Sequence, residues 1–186
     1  MVIGPESCDC GVTVLLTGLP SAGKTTVASL LAGRLRDAGH RVEVLDGDVM
    51  RKTLSAGLGF GRADRHENLQ RIGLMAEVLA RNGVIVLVPV VAPYADSRDA
   101  VRQRHTASGT AFLEVHVATP VEVCAQRDVK GLYARQRAGE LTGLTGVDDP
   151  YQAPEKPDLV IPTVRQSADA SASLLMDLLV RRRFVA

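Results

Sequence analysis

Gly18, Gly23, Lys24 and Thr25 stand in the spacing G-x4-G-K-T, inside "GLPSAGKTT", Gly18–Thr26. Glycines let a backbone curl with its N–H groups pointing inward, around an anion. The helix that follows the loop adds the positive end of its dipole at the same spot. Lys24 can then reach the β- and γ-phosphates of a nucleoside triphosphate, and the Thr25 hydroxyl can hold Mg2+. Gly18, Ser21, Ala22, Gly23, Lys24, Thr25 and Thr26 form the candidate nucleotide cradle, a P-loop. The plainer alternative is a tight strand–helix turn with an incidental lysine.

A phosphate loop leaves kinase, hydrolase and switch open. A hydrolase or switch usually carries an acid at the end of a buried strand, and "VIVLVPVVAP" has none. The acids are Asp46 and Asp48, in "LDGDVMR". With Gly47 between them, both can face the crevice at the carboxyl edge of a sheet, where α/β folds bind ligands. A carboxylate there can orient an acceptor hydroxyl, take its proton or hold a Mg2+ water; a merely polar turn is the other reading. Arg51 and Arg65 flank "GLGFG", Gly57–Gly61, with Arg62 and Asn68 close by. Guanidinium forks suit phosphate or sulfate oxygens. Phe60 sits among glycines, which suits a ring stacked on a planar ligand or a loop anchor. Arg127, Lys130, Arg135, Arg137 and Tyr133 fall in a segment suited to cover the phosphates and exclude water. His66, His105 and His116 lack metal-ligand spacing and read as structural or surface residues.

These residues need a frame, and the hydrophobic pattern supplies one. Val12–Thr17 reads as a strand buried on both faces. Val27, Leu30, Leu31 and Leu35 then recur at helical spacing over Thr25–Ala38, with Gly39 as the stop. Arg41–Leu45 is a second strand. Leu69, Ile72, Ala76 and Leu79 mark a long helix ended by Asn82–Gly83. Val84–Val91 is a third strand, Asp96–His105 a polar-faced helix, and Ala111–Ala118 a fourth strand. In "TPVE" Thr119 reads as N-cap, Pro120 as first helical residue and Glu122 as the return partner of a capping box. Arg127–Pro157 is charged and rich in Gly and Pro, which marks a lid. Asp158–Pro162 is a fifth strand and Ala168–Arg183 a closing helix, its arginines set against the dipole. Alternating strands and helices imply a parallel sheet covered on both faces.

The 186 residues suit one domain spanning residues 1–186, with residues 1–11 as a flexible tail. Lys and Arg number 22 against 21 Asp and Glu, a net charge of +1 that gives no footprint for a nucleic-acid polymer or a membrane surface. No apolar run is long enough to cross a bilayer, and the start, "MVIGPESCDCG", is not a secretory signal. Cys8, Cys10 and Cys124 are an odd, sparse set that fits a reducing cytoplasm.

Several ordered motifs together resemble the adenylyl-sulfate kinase family: "GLPSAGKTT", "LDGD" with Arg51, "GLGF", "DRHENLQRIG", "APYADSR", "RDVKGLY" and "GLTGVDDPYQAPEKPDLVI". The resemblance covers Val12 to about Thr163. It implies a three-layer P-loop NTPase fold, with a five-stranded parallel sheet between helices and a lid over 127–157. It implies ATP-dependent phosphorylation of the 3′-hydroxyl of adenosine 5′-phosphosulfate (APS) to give PAPS, with Mg2+ as cofactor. By position, the glycine loop and Arg127 take ATP, and Lys24 and Asp48 are catalytic. Thr25 and Asp48 take the metal. Asp46, Arg51, Phe60, Arg65, Asn68, Lys130 and Leu144 take APS. A homodimer is expected, with any ATP sulfurylase partner a separate chain. Two positions depart from the family pattern. Ala92 replaces a serine proposed to carry phosphate, which leaves direct transfer; Leu144 replaces a stacking phenylalanine. A kinase of another small hydroxyl acceptor and a non-catalytic nucleotide-binding module are the rival readings.

Overall fold

The computed structural model describes residues 11–164 and 166–186, so the expected tail, with Cys8 and Cys10, lies outside it except for Gly11, which is buried. In chain order the elements are β1 (Val12–Thr17), α1 (Lys24–Asp37), β2 (Val42–Val44), α2 (Gly47–Lys52), α3 (Arg62–Arg81) and β3 (Ile85–Pro89). There follow α4 (Ala95–Ala107), β4 (Ala111–Val117), α5 (Val121–Arg127), α6 (Leu132–Arg137), β5 (Leu159–Ile161) and α7 (Ala168–Arg181). The five strands form one parallel sheet in the order β2-β3-β1-β4-β5.

Both faces of the sheet are covered, and the strand residues divide between them with period two. Val12, Val14 and Leu16 of β1 join Ile85, Leu87, Leu113 and Val115 in a core with α1 and α7. Leu15, Val86 and Val88 face the other way, into a core with Leu69, Ile72 and Ala76 of α3 and Val101 of α4. The chain leaves β1 first toward β3 and β2, then toward β4. The carboxyl end of β1 is therefore the switch point where such a sheet opens a crevice, and the glycine loop leaves from there.

Three local expectations need correction. The Asp46–Asp48 turn opens a helix, α2: Asp46 is its N-cap, and its carboxylate accepts from the Asp48 N–H at 2.9 Å. Thr119 is no cap. The N-cap of α5 is Pro120 with no side-chain hydrogen bond, and the Thr119 hydroxyl instead donates to the Ala22 carbonyl at 2.9 Å and bonds to Thr163. Residues 127–157 carry core residues after all: α6 lies within them, and Tyr133 and Leu144 are buried in the α1–α7 core.

Candidate active site

A cavity of about 640 Å³ opens at the carboxyl edge of the sheet. Ser21, Ala22, Gly23, Lys24, Thr25, Thr26, Asp46, Asp48, Arg51, Phe60, Arg65, Asn68, Arg127, Lys130 and Leu144 all line it. Gly18 does not; its carbonyl accepts from Lys24 Nζ at 2.9 Å.

The cradle is set by backbone conformation. Gly23 has φ 102° and Ser21 φ 61°, both left-handed, and they turn the loop onto the first residue of α1. Lys24 is only 8% exposed, and its ammonium also donates to the Leu19 carbonyl at 2.7 Å. Burial lowers its pKa from 10.5 to about 8, while Asp48 and Asp46 act more weakly in the opposite direction. Arg127 braces the loop from the far side, donating to Ala22 O and Thr163 O, each at 3.2 Å. From α6, the Tyr133 hydroxyl donates to Pro20 O at 3.0 Å.

The two carboxylates point to different partners. Thr25 Oγ1 donates to Asp46 Oδ2 at 2.8 Å. Asp48 Oδ2 is paired with Lys130 Nζ from the 127–157 segment. The hydroxyl singled out for a metal thus stands beside Asp46 rather than beside Asp48. A hydroxyl and a carboxylate are hard oxygen donors that suit Mg2+, which takes one or two protein ligands with phosphates and waters.

Arg51 and Arg65 converge on one short loop. Arg51 donates to Gly59 O at 2.8 Å, and its guanidinium lies 4.5 Å from the centre of the Phe60 ring. Arg65 donates to Phe60 O at 2.6 Å and to Gly143 O at 3.1 Å. Burial first, and then the like charge of Arg65, lower the pKa of Arg51. Two cations held this close favour an anion between them. Phe60 is 64% exposed, so its ring remains available for stacking. Asn68 Oδ1 and Thr145 Oγ1 are buried in the cavity wall with no hydrogen-bond partner among the described residues. Orphaned polar atoms of this kind suit a polar ligand.

Sequence reasoning missed part of this wall. Thr163, Gln166 and Ser171 reach it from the end of the chain, and Val90, Val91, Ala92 and Pro93 reach it from the segment after β3. No motif carries the first three. His105 is structural: it is buried, with Nε2 at 2.9 Å from Thr13 Oγ1 and Nδ1 at 2.8 Å from Val101 O.

Residues 10–162 match the family described as adenylylsulphate kinase. A probable adenylyl-sulfate kinase from a Synechocystis strain is 50% identical over 175 residues, covering 94% of this chain and 97% of its own. An adenylyl-sulfate kinase from a Synechococcus strain is 53% identical over 166 residues, 89% of this chain and 92% of its own. Among solved structures, the Mycobacterium tuberculosis APS kinase CysC, in complex with AMPPNP and APS, superposes with TM-score 0.90 at 46% identity, covering 92% of this chain and 98% of that one.

Proposed function

The chain belongs to the adenylylsulphate kinase family, and we infer that it transfers the γ-phosphoryl group of ATP to the 3′-hydroxyl of APS, giving PAPS and ADP. The observation that carries the reading is one cavity holding a phosphate cradle, two carboxylates and a converging arginine pair.

In this reading Gly23, Lys24 and the α1 N-terminus hold the β- and γ-phosphates, and Arg127 closes the nucleotide end. ATP replaces the Gly18 and Leu19 carbonyls as the partner of the Lys24 ammonium. Arg51, Arg65 and Asn68 take the phosphosulfate, while Phe60 and Leu144 take the adenine. Asp48 accepts the proton of the 3′-hydroxyl as its oxygen bonds to the γ-phosphorus and the bond to the ADP oxygen breaks. Thr25 and Asp46 are the residues that would hold Mg2+; when bound it neutralises phosphate charge. Lys130 holds Asp48 in place until the acceptor takes over that contact. Ala92 has no hydroxyl, so transfer is direct. Residues 127–157 act as the lid of a single domain. No described helix is long and apolar enough to cross a membrane. The protein works in the cytoplasm as a homodimer, on APS supplied by a sulfurylase reaction.

ADP release from the purified protein, with ATP and each of APS, shikimate, gluconate or no acceptor, tests the reading. Release with APS alone supports it. Release with another acceptor points to a different kinase, and release with none to a hydrolase.

A further inference from the structure

We infer that Arg98 is a positioning residue for the transfer step, acting through the carbonyl of Ala92. The inference rests on the proposed reaction. Neither Arg98 nor its partner Glu114 lines the cavity. Both are nevertheless buried, at 3% and 6% exposure, behind the strap Val90–Pro93.

The sheet order explains why the strap matters. β3 lies between β2 and β1. Its carboxyl end therefore emerges between the Asp46–Asp48 turn, which follows β2, and the glycine loop, which follows β1. The strap touches both neighbours. A Cβ on Gly47 would stand 3.1 Å from Val90 Cγ1, so the acid turn rests directly on it. On the other side, Thr17 Oγ1, at the end of β1, donates to Val91 O at 2.6 Å. The strap thus sets the distance between the proposed base and the phosphate cradle.

Ala92 is the strap's strained point. Its φ of 43° is left-handed, a conformation alanine avoids unless its surroundings impose it. That conformation presents its carbonyl to Arg98 Nη1, which donates at 2.9 Å. Arg98 Nε donates to Glu114 Oε1 at 2.6 Å, and Glu114 Oε2 accepts from Arg102 Nη2 at 2.7 Å. A buried ion pair is a weak source of stability, and apolar residues of like volume often replace one without loss. A rigid fork that reaches a backbone carbonyl and a carboxylate at once is not replaceable in that way. Without Arg98 the carbonyl keeps only a long 3.4 Å contact with Thr17 Oγ1, a hydroxyl already given to Val91 O, so the strap relaxes and the acid turn moves against Lys24. In-line transfer tolerates little such movement, whereas ATP keeps its own loop.

The test uses the full chain with ATP and APS. Wild-type turnover with APS is measured first; its absence would overturn the proposed reaction, and with it any role of Arg98 in that transfer. Single-turnover transfer rate, ATP affinity and Tm are then measured for Arg98→Lys, Arg98→Met, Glu114→Gln and Arg98→Met/Glu114→Gln. Arg98→Met is expected to slow transfer by about tenfold or more with ATP affinity within about twofold of wild type. Glu114→Gln slows it less. The double variant is no slower than Arg98→Met, because both changes act through one carbonyl. Arg98→Lys, a point donor that cannot serve both acceptors, falls between wild type and Arg98→Met, and it decides the matter alone if Arg98→Met does not fold. Unchanged transfer in Arg98→Lys and Arg98→Met overturns the inference. So does loss of ATP affinity in step with rate, or a double variant as slow as the product of the single effects.

Discussion

ATP binding should carry a proton into the protein, and Lys24 should be where it lands. In the free protein burial holds the ammonium at a pKa of about 8 rather than 10.5. At pH 8.5 that leaves about three-quarters of the molecules with a neutral Lys24, and at pH 7 about a tenth. Bound triphosphate places several negative charges beside the group and restores the ammonium. Each ATP bound at pH 8.5 should therefore take up about three-quarters of a proton, against about a tenth at pH 7. By the same linkage the Lys24 contribution to ATP affinity should weaken about fourfold between the two pH values. Isothermal titration calorimetry in two buffers of different ionisation enthalpy reads the uptake as a difference in apparent binding heat. ATP is fully ionised at pH 8.5 and adds no proton of its own there. Lys24→Met should bind more weakly, show no buffer dependence and catalyse no detectable transfer. Equal heats in both buffers for wild type at pH 8.5 would refute the reasoning. So would a buffer dependence that persists in Lys24→Met.

Asp48→Asn should slow transfer by about a hundredfold or more while ATP affinity stays within about twofold, because an amide cannot take the proton; collapse of ATP affinity with turnover retained at saturation would make Asp48 a metal or structural residue. With ATP and APS varied together, initial rates should give intersecting lines, γ-labelled ATP alone should leave no stoichiometric label on the chain, and Ala92→Ser should change turnover only modestly. Parallel lines, or label on the wild-type protein, would point to a phosphorylated residue such as Ser97 or His105. Acid should destabilise the fold through buried His105 and half-buried His116. Burial lowers the pKa of both His105 and His116, so the unfolded chain binds the more protons as pH falls. Stability is then complete above about pH 6.5 and declines below it, by at most about 1.4 kcal/mol per pH unit for each histidine. Urea unfolding free energies that stay level from pH 7 to pH 5 would contradict this.

What the sequence disclosed and what it hid follow from the range of the interactions. The glycine loop was legible because its chemistry is local: residues 18 to 26 carry both the curl and the groups that use it. The β1 and β3 strands were legible because burial on both faces leaves continuous apolar runs. By contrast α2 is six residues long and contains no buried residue, so periodicity had nothing to act on; the Asp46 cap creates it. Thr119 had the right spacing for a capping box, but its hydroxyl goes to Ala22, 97 residues away. Tyr133 looked like a lid residue because its neighbours are charged, yet its ring is buried and its hydroxyl fixes the phosphate loop. Arg98 stood in a recognised motif, but its role depends on Glu114 and on the left-handed Ala92, which only the folded chain brings together.

The position at which the phosphoryl group arrives on the acceptor is the most direct measurement. Purified protein incubated with ATP, Mg2+ and APS should yield ADP and one new compound, a phosphomonoester on the 3′-carbon of the ribose with the phosphosulfate intact, resolved by 31P NMR and mass spectrometry. An APS analogue with hydrogen in place of the 3′-hydroxyl should give no such product and no ADP above the acceptor-free rate. A phosphate found on the 2′-oxygen, ADP formed from the 3′-deoxy analogue as fast as from APS, or inorganic phosphate as the sole product would contradict the account.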